Sequence, residues 1–138
     1  MTNGNSGKSP LIGIVGVCAS GKTTLIRQLT LLGYHCRHIA QEHSYVATMW
    51  QQITHPDFLI YLYADYPTTV KRKKLNWTEF EYKEQIHRLE HAYAHANFII
   101  DNSLQSPEET CELVVRQLTA SGIYPDPPSP PVIRTNFQ

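Results

Sequence analysis

One stretch of this chain constrains its fold more than any other: Gly16-Val17-Cys18-Ala19-Ser20-Gly21-Lys22-Thr23. It fits G-x-x-x-x-G-K-[ST], the P-loop or Walker A pattern. An apolar run, Leu11-Ile12-Gly13-Ile14-Val15, enters it and reads as a buried strand. An amphipathic run, Thr24 to Leu32, leaves it and extends a helix that starts near Lys22. Strand, glycine-rich turn and helix in succession turn backbone N–H groups inward, where they cradle a polyphosphate. The helix N-terminus adds partial positive charge at the same point. Lys22 would reach the β- and γ-phosphates and the Thr23 hydroxyl would bind Mg²⁺. Gly16, Cys18, Ala19, Ser20, Gly21, Lys22, Thr23 and Thr24 are therefore the candidate nucleotide contacts. A glycine-rich turn without a ligand is the alternative, and the flanking strand and helix weigh against it.

Two look-alikes fail. Gly4-Asn5-Ser6-Gly7-Lys8-Ser9 imitates a second P-loop, but Thr2 stands where its first glycine belongs and no strand precedes it. Lys8 followed by Leu11–Ala19 imitates a signal peptide, but cleavage there would destroy the loop. Residues 1–9 read as a disordered arm, 10–122 as one domain and 123–138 as a proline-rich tail.

Composition narrows the function classes. A chain of 138 residues holds one compact domain, and 41% hydrophobic residues suffice for a core. No apolar run approaches a membrane span of about 20 residues, so no membrane partner is expected. Zero formal net charge makes nucleic acid an unlikely partner. Cys18, Cys36 and Cys111 lack metal-ligand or redox-motif spacing, which suits a reducing cytoplasm. Cys18 lies inside the loop, where oxidation would block a nucleotide; a small residue filling a tight turn is the plainer reading.

Downstream, strands and helices alternate. His35–Ala40 reads as a short strand. A helix is expected from about Ser44, with Val46, Met49, Trp50 and Ile53 on one buried face. Thr54-His55-Pro56-Asp57 breaks it, and Phe58–Tyr63 reads as a central strand. Pro67 suits the first turn of the next helix, which carries Lys71-Arg72-Lys73-Lys74. Thr78 and Glu81 have capping-box spacing and open a helix to about Ala96, with a core stripe of Tyr82, Ile86, Leu89 and Tyr93. Phe98–Asp101 is a fourth strand. Ser106-Pro107-Glu108-Glu109 starts a last helix, ended by Gly122. The fold implied is α/β, a three-layer sandwich around a parallel sheet. Ligands in such sheets bind at the strands' carboxyl ends. Gly16–Thr23, Gln41–Ser44, Ala64–Tyr66 and Asp101–Ser103 should converge there.

Phosphoryl transfer needs positioning and positive charge more than covalent chemistry. Arg72, helped by Lys73 or Lys74, is the candidate for neutralising the transferring group; a solvated helix face is the alternative. Glu42 follows the second strand, where it could support Mg²⁺ or act as a base. His43 is a rival base, and Tyr45 could line an acceptor pocket. His87, His91 and His95 share a helix flank, but no fourth ligand accompanies them.

Three segments resemble the P-loop kinases that phosphorylate nucleosides, nucleotides and other small molecules. They are Leu11–Leu32, Phe58–Lys74 and Ala96–Ser103. In the second, Tyr61-Leu62 followed by Arg72 looks like the kinase strand whose next helix presents an arginine to the phosphates. The third, with Asn102, looks like the loop that packs near adenine in dephospho-coenzyme A kinases. The resemblance implies a four-stranded sheet in order 2-1-3-4. The chain departs from it in the short 41–57 segment, which lacks the extra strand and acceptor-binding helices. Gln41-Glu42-His43-Ser44 stands where an acceptor motif belongs, and Arg88 is the candidate for a second lid arginine. No guanine motif is present, so ATP is expected over GTP. The implied activity is ATP- and Mg²⁺-dependent transfer to a small-molecule acceptor. Lys22, Arg72 and Glu42 would be its catalytic residues, and Thr23 and Glu42 would hold the metal. A second protomer could complete the acceptor region, which makes a homodimer possible. A nucleotide-binding regulatory or switch protein, with the proline-rich tail docking a partner, is the reading from another class.

Overall fold

The computed structural model describes residues 9–73 and 76–127. Four strands form one parallel sheet in the order β2-β1-β3-β4. They are β1 (Leu11–Gly16), β2 (His35–His38), β3 (Phe58–Tyr63) and β4 (Phe98–Asp101). The strand order is the expected one. β1 and β3 are central, flanked on both sides and covered on both faces, and their residues are correspondingly apolar throughout.

The two faces carry two cores. Ile12, Ile14, Ile60 and Leu62 point to one, where they meet Leu25 and Leu29 of α1 (Lys22–Leu32) and Val114 and Leu118 of α5 (Pro107–Ala120). Val15, Leu59 and Tyr61 point to the other. There they meet Trp50, Tyr82 of α3 (Glu79–Arg88), the inter-helix residue Leu89, and Ala92 of α4 (Glu90–His95). Alternate residues of one strand thus serve opposite layers.

Local signals set most boundaries as the sequence implies. Capping boxes open α3 at Thr78/Glu81 and α5 at Ser106/Glu109. Pro67 lies in the first turn of α2 (Tyr66–Lys73). Asp57 links the starts of β1 and β3: its carboxylate accepts from Leu11 N at 2.7 Å and its own N–H donates to Leu11 O at 2.8 Å.

Three expectations need correction. The helix from Ser44 with a four-residue buried face does not form. Gln41–His43 makes a 3₁₀ turn and Trp50–Thr54 a π-helical turn. Of the four residues only Trp50 is buried, while Val46 and Ile53 are exposed. The cause is Gln41, itself fully buried. Its Oε1 accepts from Trp50 N (2.8 Å) and its Nε2 donates to Val46 O (2.9 Å) and Arg88 O (3.3 Å). A side chain supplies bonds that a helix would otherwise make internally. Second, the helix from Glu79 is not continuous: Leu89 interrupts it, fully buried at φ −95°. Before the bend Gln85 is buried beside Ile86, which packs partly buried against the second core; after it Ala92 turns inward in place of Tyr93. Tyr93 is half exposed, edge-on to Tyr61 at 5.1 Å. Third, the chain beyond Gly122 does not leave the domain at once. Ile123 packs against the first core. Asp126 N donates to Gly33 O at 2.9 Å, and its carboxylate bonds His35 and Ser9. Lys74, residues 1–8 of the arm and residues 128–138 of the tail lie outside the described residues.

Candidate functional site

β1 ends in the loop Gly16–Gly21, and its geometry follows from close contacts. A Cβ on Gly16 would collide with the Leu62 carbonyl of β3. One on Gly21, at φ 105°, would stand 2.6 Å from Asn102 Nδ2. Ala19 also takes a left-handed conformation, φ 65°, and Ser20 N closes the turn onto Val17 O at 3.1 Å. Successive backbone amides in such conformations form an anion-binding concavity.

All four segments expected at the carboxyl ends of the strands meet here. Lys22 is buried (6% exposed), and its Nζ donates to Gly16 O (2.7 Å) and Val17 O (2.9 Å). The same Nζ stands 3.1 Å from Glu42 Oε2, and Glu42 is 3% exposed. Among the described residues, Glu42 Oε1 and Ser20 Oγ are buried with no hydrogen-bond partner. A buried charge is tolerated only when paired, so these two residues depend on each other. On the opposite side, Arg72 Nη1 donates to Ala19 O (3.1 Å) and Nη2 to Asn102 O (2.5 Å). The Asn102 amide donates to Ser20 O at 2.7 Å and accepts from the Thr110 hydroxyl. Ser103 Oγ accepts from Asp65 N at 2.9 Å.

Three cavities open around this turn. One of about 390 Å³ is lined by Cys18, Ala19, Gly21, Lys22, Thr23, Thr24, His38, Glu42 and Lys73. Thr23 and Glu42, the two expected metal ligands, therefore share a cavity. A second, of about 190 Å³, lies on the other side of the turn among Thr24, Gln28, Arg72, Asn102, Gln105 and Thr110. A third, of about 500 Å³, adjoins the first at Cys18 and Lys73 and includes His43, Tyr45, Trp77 and Arg88. Arg88 lies over the Tyr45 ring at 4.5 Å and donates to Glu42 O at 3.3 Å.

Some site residues escaped the sequence reading. Gln85 Oε1 accepts from Cys18 N at 2.9 Å and its Nε2 donates to Cys18 Sγ at 3.1 Å. The available signal was a glutamine on the apolar stripe of its helix. Thr110 orients Asn102, and no local pattern marks it. His38 faces the same cavity, and its pKa is lowered. Loss of water around the ring is the larger cause and the Lys22 ammonium the next, with Glu42 opposing. Trp50 stays in the core, its indole N–H bonded to His91 Nδ1 at 3.1 Å, and His91 stacks on His95.

The chain matches no family model and no curated protein sequence. Among the described residues, no helix is long and apolar enough to cross a membrane.

Proposed function

We propose that this protein is an ATP- and Mg²⁺-dependent phosphotransferase of the P-loop kinase kind, acting on a small-molecule acceptor. One observation carries the reading: Lys22 and Arg72, cations from separate helices, both engage the backbone of the same left-handed turn. Positive charge fixed around a backbone cradle is what a transferring phosphoryl group requires.

In this reading the amides of residues 16–24 hold the α- and β-phosphates, and Lys22 turns from the loop carbonyls to the γ-phosphate. Thr23 and Glu42 fit a hard cation, because the buried Glu42 Oε1 lacks a partner among the described residues. Mg²⁺ held there supplies neutralising charge to the phosphates. The base takes the cavity beside Asn102 and Gln105. The acceptor takes the larger cleft, where Tyr45 and Trp77 offer aromatic surface and Arg88 and Lys73 positive charge. His43 lines that cleft, and Glu42 lines the adjoining phosphate-side cavity; these are the groups placed to take the acceptor's proton.

The decisive experiment is ADP release by the purified protein with ATP and Mg²⁺, alone and with pooled nucleosides, nucleotides and coenzyme precursors. Stimulation by one pool, lost in Lys22→Ala, is the expected result. Tight ATP binding with no stimulated turnover would instead favour a nucleotide-binding regulatory protein. The observation favouring that second reading is that both cations are already engaged by partners within the chain.

A further inference from the structure

A thiol from the loop meets, at the mouth of that loop, a carboxylate and an imidazole that are adjacent residues of the 41–43 turn. The donor atoms of Cys18, Glu42 and His43 all lie within 4.8 Å of one another. Cys18 Sγ is 3.6 Å from His43 Nε2, and His43 Nε2 is 3.7 Å from Glu42 Oε2. In a tetrahedral zinc site with bonds of about 2.3 Å to sulfur and about 2.0 Å to nitrogen, neighbouring donors stand roughly 3.5 Å apart. The two spacings that involve His43 therefore already match the edges of such a site, and the third lies within 4.8 Å.

The surroundings suit a metal as well. Gln85 holds Cys18 at two points: its carbonyl accepts from Cys18 N and its amide donates to Sγ. An N–H donor to sulfur stabilises the thiolate and fixes its direction, as outer partners of metal ligands do. Glu42 is buried, and among the described residues its Oε1 has no hydrogen-bond partner, while Oε2 faces Lys22 and His43. His43 is exposed, so an ion has an entry path. Sulfur and imidazole donors select a borderline-soft ion and disfavour Mg²⁺, which requires oxygen ligands.

We infer that Cys18, Glu42 and His43 form a binding site for Zn²⁺ or a similar transition-metal ion, with a fourth position open to solvent. Binding releases the Cys18 thiol proton to solvent, and the sulfur enters as thiolate. The metal shares the Glu42 carboxylate with the Lys22 ammonium, so the two cations compete. The inference stands whether or not the protein transfers phosphate.

The test is a Co²⁺ titration of the full chain under a non-thiol reductant, followed by the thiolate-to-cobalt absorption band, with Zn²⁺ affinity taken by competition against a chromophoric chelator. The expected result is a band at one equivalent that Zn²⁺ abolishes and excess Mg²⁺ leaves intact. Cys18→Ser should lose the band, and His43→Ala, which removes a ligand outright, should weaken Zn²⁺ by at least the roughly 10–100-fold that losing an outer partner costs. Lys22→Met should bind Zn²⁺ more tightly, because it removes the competing charge. Cys36→Ser and Cys111→Ser should keep the band; those thiols line the far core, where burial pushes Cys36 up to about 12 and raises Cys111. A measurement without variants accompanies these: Zn²⁺ should slow alkylation of Cys18 and leave the other two cysteines unchanged. No band in the wild-type chain, a band that survives Cys18→Ser, or Cys18 alkylation indifferent to Zn²⁺ would overturn the inference.

Discussion

The two flanks of the Gly16–Gly21 turn hold it in different ways. On the α5 side, Arg72 and Asn102 bond the carbonyls of Ala19 and Ser20, and Thr110 locks Asn102. These groups have fixed polarity and complementary partners. On the β2 side, Lys22, Glu42, His43 and Cys18 are charged or ionisable, crowded together, and only partly matched. A network with every donor assigned rigidifies; one with an orphaned carboxylate oxygen exchanges partners readily. The first flank shapes the turn, and the second is where ligands should act.

The largest expected effect comes from breaking the ionisable flank. Lys22→Ala should abolish ATP binding and leave Glu42 as an unpaired buried carboxylate. Removing one partner of a buried pair costs about 3–5 kcal/mol. Urea unfolding should show that loss, and adding Glu42→Gln should recover most of it. Equal stability of Lys22→Ala and wild type would mean the pair is not coupled.

Arg72 sharpens the comparison, because it belongs to the ordered flank yet is assigned a chemical task. It is exposed, so Arg72→Ala should change stability little. Acceptor-stimulated ADP release should nevertheless fall roughly 10²–10³-fold, the usual effect of losing a transition-state donor. A stability loss without a turnover loss would return Arg72 to a purely structural role.

Asn102→Ala breaks the ordered flank itself. It strands the Ser20 carbonyl, and a buried group left unsatisfied costs about 1–3 kcal/mol. Gly21→Ala should destabilise too, through its left-handed backbone and its clash with the Asn102 amide. Combining the two should remove the clash and leave the backbone strain and the stranded Ser20 carbonyl. The double variant should therefore unfold at higher urea than the sum of the singles predicts.

The same contrast explains what the sequence made legible. The strand order is implied by the resemblance to the P-loop kinases. The β1–turn–α1 unit and the capping boxes rest on local spacing or on runs of apolar residues, and these survive folding unchanged. Segment 41–57 does not, because Gln41 satisfies its backbone from a distance and cancels the helical period that Val46, Met49, Trp50 and Ile53 suggest. The helix stripe likewise holds through Leu89 and changes phase only past the bend there, where Ala92 is buried and Tyr93 is half exposed. Glu42 was legible as a strand-end residue. Its pairing with Lys22 and its closeness to Cys18 depend on how the 41–43 turn packs against β1 and α3, and no spacing along the chain encodes that.

The smallest effect probes the ionisable flank through pH. His38 has a pKa below the usual imidazole value of about 6.5. Lost hydration is the leading cause, the Lys22 and His43 charges act in the same direction, and Glu42 opposes them. The folded state thus resists protonating His38 while the unfolded chain does not. Above about pH 6.5 both states are neutral there and the residue adds no pH dependence. As pH falls below that value the unfolded chain binds the proton first, so stability declines until the folded pKa is passed. Urea midpoints measured from pH 7.5 to 5 should fall in the wild type and fall less in His38→Asn. Because the Lys22 ammonium is part of the cause, Lys22→Met should raise the His38 pKa, read directly from its imidazole resonance by NMR. An unmoved resonance would place the two groups outside each other's field and weaken the case for one continuous charged flank.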